Sequence, residues 1–171
     1  DALQDFVDGL QARAAVGELD VGEHQARPVA LHGRDGQKKV LELVSRMLVG
    51  LTRNMGIYES FIAHLGGEHF VILMNLDDYQ RFCNTLINTF DEQIKALYTP
   101  DEIKQGFIVA RDRNNQETKA PIMALSIGVA HTEFRTFKSA KKMFEVLAQT
   151  RQKAVPNGKS VVFVDRRRAD R

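Results

Sequence analysis

The sequence predicts an α/β (α+β) fold in one domain, a central mixed sheet with helices packed on both faces. Three observations predict it. Stretches with apolar residues at helical spacing alternate with short apolar runs bounded by glycine, proline and polar turns. The strand-like runs are apolar almost throughout, as in a sheet covered on both sides. The length, 171 residues with 43% apolar and 27% charged, suits a single core of ordinary globular composition.

Taken in order, residues 2–14 place Leu3, Phe6, Val7 and Leu10 on one face, an amphipathic first helix. Residues 16–36 carry weaker signals: a strand near Val16 to Val21 and another near Val29 to Leu31, separated by Gly22 and Pro28. Over 37–53 a stripe of Val40, Leu41, Val44, Leu48 and Leu51 predicts a helix. "YESFIAHL" and "HFVILM" then flank Gly66 and Gly67, a two-residue loop suited to a β-hairpin because glycine accepts positive φ without steric cost. From Asp77 or Asp78 as cap, a long helix to Tyr98 buries Phe82, Leu86, Ile87, Phe90, Ile94 and Leu97. Next come a strand from Gly106, a polar turn at Asn114 and Asn115, and a second strand running into the apolar segment that ends at Ala130. A helix over 137–154, a break at Pro156-Asn157-Gly158 and a final strand "SVVFV" complete the pattern.

Composition excludes several classes. The 24 basic residues are interleaved with 22 acidic ones, so the net charge of +2 and pI near 8.8 do not mark a nucleic-acid surface. The one dense basic run, "DRRRADR", reads as a solvated tail. Cys83 is the single cysteine, which rules out an internal disulfide framework; its place in a helical pattern makes it a small core residue. There is no membrane-length apolar window and no secretory leader pattern, so the expected compartment is the cytoplasm, without membrane contact by this domain. The abrupt start at "DALQDFVDGL" is read as a domain, 1–171, taken from a longer multidomain signalling protein.

Four motifs stand in a telling order: "HGRDGQKKVL" at 32–41, "HLGGEHF" at 64–70, "ALSIGVA" at 124–130, and "TRQKAVPNGKSVVFVDRRR" at 150–168. Together they resemble the GGDEF domain, the nucleotidyl-cyclase-like fold of bacterial diguanylate cyclases, with GGEHF in place of GGDEF. The resemblance implies a reaction that joins two GTP molecules into cyclic di-GMP, with carboxylates converging on Mg²⁺ beside the phosphates. It assigns Gly66 and Gly67 to close approach of the nucleotide, Glu68 to the retained catalytic and metal position, and Glu18, with Asp20 as neighbour, to the first-strand metal position. His69 takes the place of the family's second signature acid, and Arg151 and Lys153 stand near its phosphate-neutralising lysine.

Several positions depart from that pattern. His69 is a poor magnesium ligand. Val29 and Lys38 fall where the family holds the guanine edge, and neither supplies the acceptor the base needs. Ile57 and Ser60 fall where its inhibitory product site has an Arg and an Asp, so the guanidinium fork is missing. The sequence therefore reads as a degenerate GGDEF signalling domain, leaning to no enzyme activity. As such it regulates, or makes contact with, other domains of its own protein, a signalling partner or a homodimer mate, and needs Mg²⁺ only where nucleotide is bound. The alternatives are an active diguanylate cyclase and a GTP-binding sensor without turnover. Zinc held by His64 and His69 and a nucleophilic Ser126 weigh far less, since histidines beside a hairpin and a serine in a buried strand are ordinary.

Overall fold

A computed structural model describes residues 14–20, 33–111, 116–133, 135–137, 139–154 and 159–168. The first helix (apart from Ala14), the strand at 29–31 with Val29, the turn at Asn114 and Asn115 and the break at 156–158 lie outside the described residues.

Five strands form one mixed sheet. β1 (Ala14–Asp20) lies at its centre, the hairpin β2 (Phe61–Gly66) and β3 (His69–Asn75) on one side, and β6 (Ser126–His131) and β7 (Val161–Val164) on the other, in the order β2-β3-β1-β6-β7. β1 runs antiparallel to both β3 and β6, whereas β6 and β7 are parallel. The central position of β1 explains its residues: Ala15 and Leu19 are almost fully buried, and Gly17 sits between Ile72 and Ile127.

Alternation along β3 divides the core in two. Phe70, Ile72 and Met74 face α1 (Gly33–Asn54) and α2 (Tyr79–Gln93), which contribute Val40, Val44, Leu48, Phe82, Leu86 and Phe90 to the larger cluster. Val71 and Leu73 face the other way, with Ala130, against Met143, Val146 and Leu147 of α4 (Ala140–Lys153). Helices therefore cover both faces, and the stripes predicted for α1 and α2 are the buried ones. Cys83 is buried on α2 as expected.

Three local expectations need correction. The long helix ends at Gln93 and passes through a short 3₁₀ turn, Ile94–Leu97; its N-cap Asp78 makes no capping bond, and its carboxylate pairs instead with Arg81 at 3.3 Å. A short helix, α3 (Pro100–Gln105), follows behind a capping box between Thr99 and Glu102. The apolar run to Ala130 is two strands rather than one. β4 (Phe107–Arg111) and β5 (Glu117–Pro121) form a separate antiparallel hairpin, and β6 begins only at Ser126. Pro121 has no N–H to extend a ladder. Beyond it the Ile122 N–H still reaches the Gly106 carbonyl (3.4 Å), but the Met123 N–H donates to Tyr98 Oη (2.9 Å) and the Leu125 N–H to Ser160 Oγ (2.8 Å), so these two donors leave the ladder for side chains.

Candidate functional site at the glycine hairpin

The β2–β3 ladder pairs His64 with Phe70 and then Gly66 with His69, with a bulge between His64 and Gly66 that leaves Leu65 53% exposed. The two residues of the loop are thus Gly67 and Glu68, one position later than the Gly-Gly loop read from sequence. Gly66 and Gly67 have φ of 105° and 56°, values that L side chains rarely adopt, which accounts for both glycines. Glu68 is buried although it stands in the turn, at 8% exposure.

The His64 ring stacks on Phe70 with centroids 4.7 Å apart, and its Nε2–H donates to the Gly67 carbonyl at 3.0 Å, so it braces the hairpin. His69 is half-buried and opens β3.

Across the sheet, register decides which acid of β1 reaches the hairpin. Asp20 is the residue opposite His69; Glu18 lies opposite Val71, three residues beyond Glu68 along β3, roughly 10 Å of strand. Glu18 belongs to the α4 face, where directly opposed residues share a side with Val71 and Gly128. There its Oε1 is 3.1 Å from Arg151 Nε, with the two side chains 11% and 20% exposed. The pairing depends on Gly128: a Cβ at that position would stand 2.7 Å from the Arg151 backbone nitrogen and 2.9 Å from its Cα. The last turns of α4 lie directly on β6 at this glycine, and the guanidinium folds along the sheet to the carboxylate.

Arg151 and Lys153 do not converge. Residues two apart on a helix project in different directions. Lys153 Nζ lies 5.9 Å from the Phe163 ring and lines a cleft along β7 with Arg166 and Arg167. The positions expected for guanine and product contacts have other duties. Lys38 is exposed and 3.8 Å from Glu42. Ile57 is buried, and Ser60 Oγ donates to the Ile57 carbonyl at 3.1 Å. Beside the hairpin, Lys38, Leu41, Glu42, Ser45, Arg46, His64 and Phe70 line an open cleft of about 640 Å³.

Among the described side chains a magnesium ion does not find a ready donor set here. Glu18 is engaged by a guanidinium and Glu68 is a single buried carboxylate, while the neighbouring signature position offers an imidazole, a weak ligand for so hard a cation. Among the described residues no three His, Cys, Asp or Glu side chains converge as a metal site. Sequence reasoning missed the Glu18–Arg151 pair, although a glycine inside the apolar strand "SIGVA" does mark a close backbone approach.

No protein-family model and no curated protein matches the chain. Solved structures do. The active GGEEF domain of a diguanylate cyclase from Vibrio cholerae superposes with TM-score 0.63 at 14% identity, covering 97% of this chain and 93% of that one. The FimX GGDEF domain from Pseudomonas aeruginosa gives 0.56 at 19%, covering 96% and 90%. Diguanylate cyclase SiaD, in complex with its activator SiaC from Pseudomonas aeruginosa, gives 0.56 at 15%, with 92% of this chain over 54% of that one. Among the described residues no helix is long and apolar enough to cross a membrane. The chain has the fold of the GGDEF domains.

Proposed function

We propose that the chain is a GGDEF-type domain of cyclic di-GMP signalling that does not turn over GTP, and acts as a regulatory or protein-contact module. One observation carries the reading: where the ladder brings the last acid of β1, Asp20, to the glycine hairpin, the residue opposite is His69. Joining two nucleotides requires fixed negative charge around a divalent cation. An imidazole carries no negative charge, so it removes an anion from the locus where cation affinity is set. What the hairpin retains is its shape, held by Gly66, Gly67 and the His64 brace, and that shape suits a recognition surface. SiaD, solved with a protein activator, is a precedent for contact between a protein partner and a chain containing this fold.

Purified protein with GTP and Mg²⁺ is expected to yield no cyclic dinucleotide by chromatography. Sustained product that disappears in Glu68→Ala would establish the cyclase instead. The cleft beside the hairpin, with Lys38, Arg46 and His64 around Leu41 and Phe70, favours a second reading, a GTP-binding sensor without turnover. Calorimetric titration with GTP separates the two: a flat trace leaves the contact module, and saturable heat without product selects the sensor.

A further inference from the structure

We infer that the outer edge of β7 is a docking surface for an acidic, extended segment of a protein partner, which adds to the sheet as a further strand. This docking role rests on the contact-module reading and gives it a surface and a partner chemistry. β7 ends one side of the sheet, and among the described residues it pairs only with β6. The Val161 N–H donates to the Leu125 carbonyl and the Asp165 N–H to the Val129 carbonyl, both at 2.8 Å on the β6 side. Successive residues of a strand turn their backbone groups to opposite sides, so Val162 and Val164 present theirs to the outer edge. A cleft of about 610 Å³ runs along the strand, lined by Val162, Phe163, Val164 and the basic Lys153, Arg166 and Arg167. The acid of that lining, Asp165, is 5% exposed and engaged by Arg135 and Arg167, so the charge turned to solvent is positive. The two faces of the edge differ. Val162 and Val164 pack against the larger core cluster, whereas Phe163, 37% exposed, has the Lys153 ammonium 5.9 Å from its ring. A strand with apolar side chains on the first face and carboxylates on the second complements both. A second copy of β7 does not. Set antiparallel it brings exposed Lys159 towards Arg166 and Arg168, and set parallel it brings the arginines together; like charges opposed across a ladder repel.

The test is titration of the isotope-labelled whole chain, followed by amide NMR, with an end-blocked peptide of alternating valine and glutamate, about six residues long, the ordinary length of a strand. Saturable shifts centred on the Val162 and Val164 amides are expected. The same peptide with lysine for glutamate is expected to bind at least about tenfold more weakly, and so is the glutamate peptide to Lys153→Glu/Arg166→Glu. Both of those side chains are exposed, so the variant keeps the fold, with circular dichroism as the check. Methylating every backbone nitrogen of the peptide removes its ladder donors and is expected to abolish binding. No saturable binding of the glutamate peptide, shifts centred away from β7, or equal affinity for the lysine peptide or for the charge-reversed protein overturns the docking surface; the basic residues would then only guard the edge against pairing. Dimerisation of the parent chain that moves the same amides would assign the edge to a second copy and overturn it too. Cyclic dinucleotide made by the parent protein would overturn the proposed function and leave the peptide result untouched, whereas a protein that makes no product and binds no peptide refutes the docking surface alone.

Discussion

Gly128→Ala gives the sharpest test of how α4 is seated. The added methyl would lie 2.7 Å from the Arg151 nitrogen and 2.9 Å from its Cα, about 0.7 Å short of ordinary contact for the closer atom. Both obstacles are backbone, so no side chain can swing aside. Relief requires the end of α4 to lift from β6, which loosens Met143, Val146 and Leu147 against Val71, Leu73 and Ala130 and draws Arg151 from Glu18. Overpacking of this kind costs about 1–3 kcal/mol. For a domain of this size that is a fall in melting temperature of about 2–12 °C. Gly50→Ala is the control: it lies inside α1, and a Cβ there meets nothing within 4 Å. Removing backbone freedom from the unfolded chain should stabilise that variant by about 0.5–1 kcal/mol. Urea and thermal melts of the three proteins decide the matter. Gly128→Ala within about 0.5 kcal/mol of the parent, the ordinary scatter of surface substitutions, would refute the close seating.

Three further outcomes follow from buried polar groups and a cap. His131, buried at the end of β6 with its ring 5.5 Å from that of Tyr79, has its pKa pushed down by burial, against the opposing charges of Glu133 and Asp165 and with help from Arg166. Because the folded state holds that proton less tightly than the unfolded chain, stability is full above the ordinary histidine value of about 6.5 and declines as pH falls below it. Melts from pH 7.5 to 5 should show this decline, and His131→Phe should flatten it. Burial pushes the Cys83 thiol up to about 12, so a disulfide exchange reagent at pH 8 should label it only at the rate of unfolding; fast labelling of the native protein would contradict its place in the core. Thr99→Ala removes the hydroxyl that accepts from the Glu102 N–H, leaves the bond from the backbone N–H of residue 99 to the Glu102 carboxylate, and should cost about 1 kcal/mol in urea melts.

The fold was largely legible because burial here follows simple periods. The α1 stripe and the apolar run of β3 each state a face, and the register of β3 with β1 follows once both are placed. Boundaries were less legible where a backbone group changes partner. Nothing near Leu125 says that its N–H will go to Ser160, thirty-five residues away, so the apolar run read as continuous. The capping box at Thr99 was present in sequence but hidden by the stronger stripe of the preceding helix.

The site divides along the same line. A glycine pair with an acid is a local signal, and the hairpin fell within one residue of where it was read. Which first-strand acid meets it is a matter of register. Spacing alone left Glu18 and Asp20 two residues apart on one strand, while the ladder sets only Asp20 opposite His69. Once Glu18 is displaced inward it needs a counter-charge, since an isolated carboxylate inside a sheet is costly. Arg151 supplies it, and can do so only because residue 128 has no side chain. A glycine in one motif, an arginine in another and an acid in neither thus form a single arrangement. No one of the three announces it, because each has an ordinary local reading and the coupling exists only where α4 crosses the sheet.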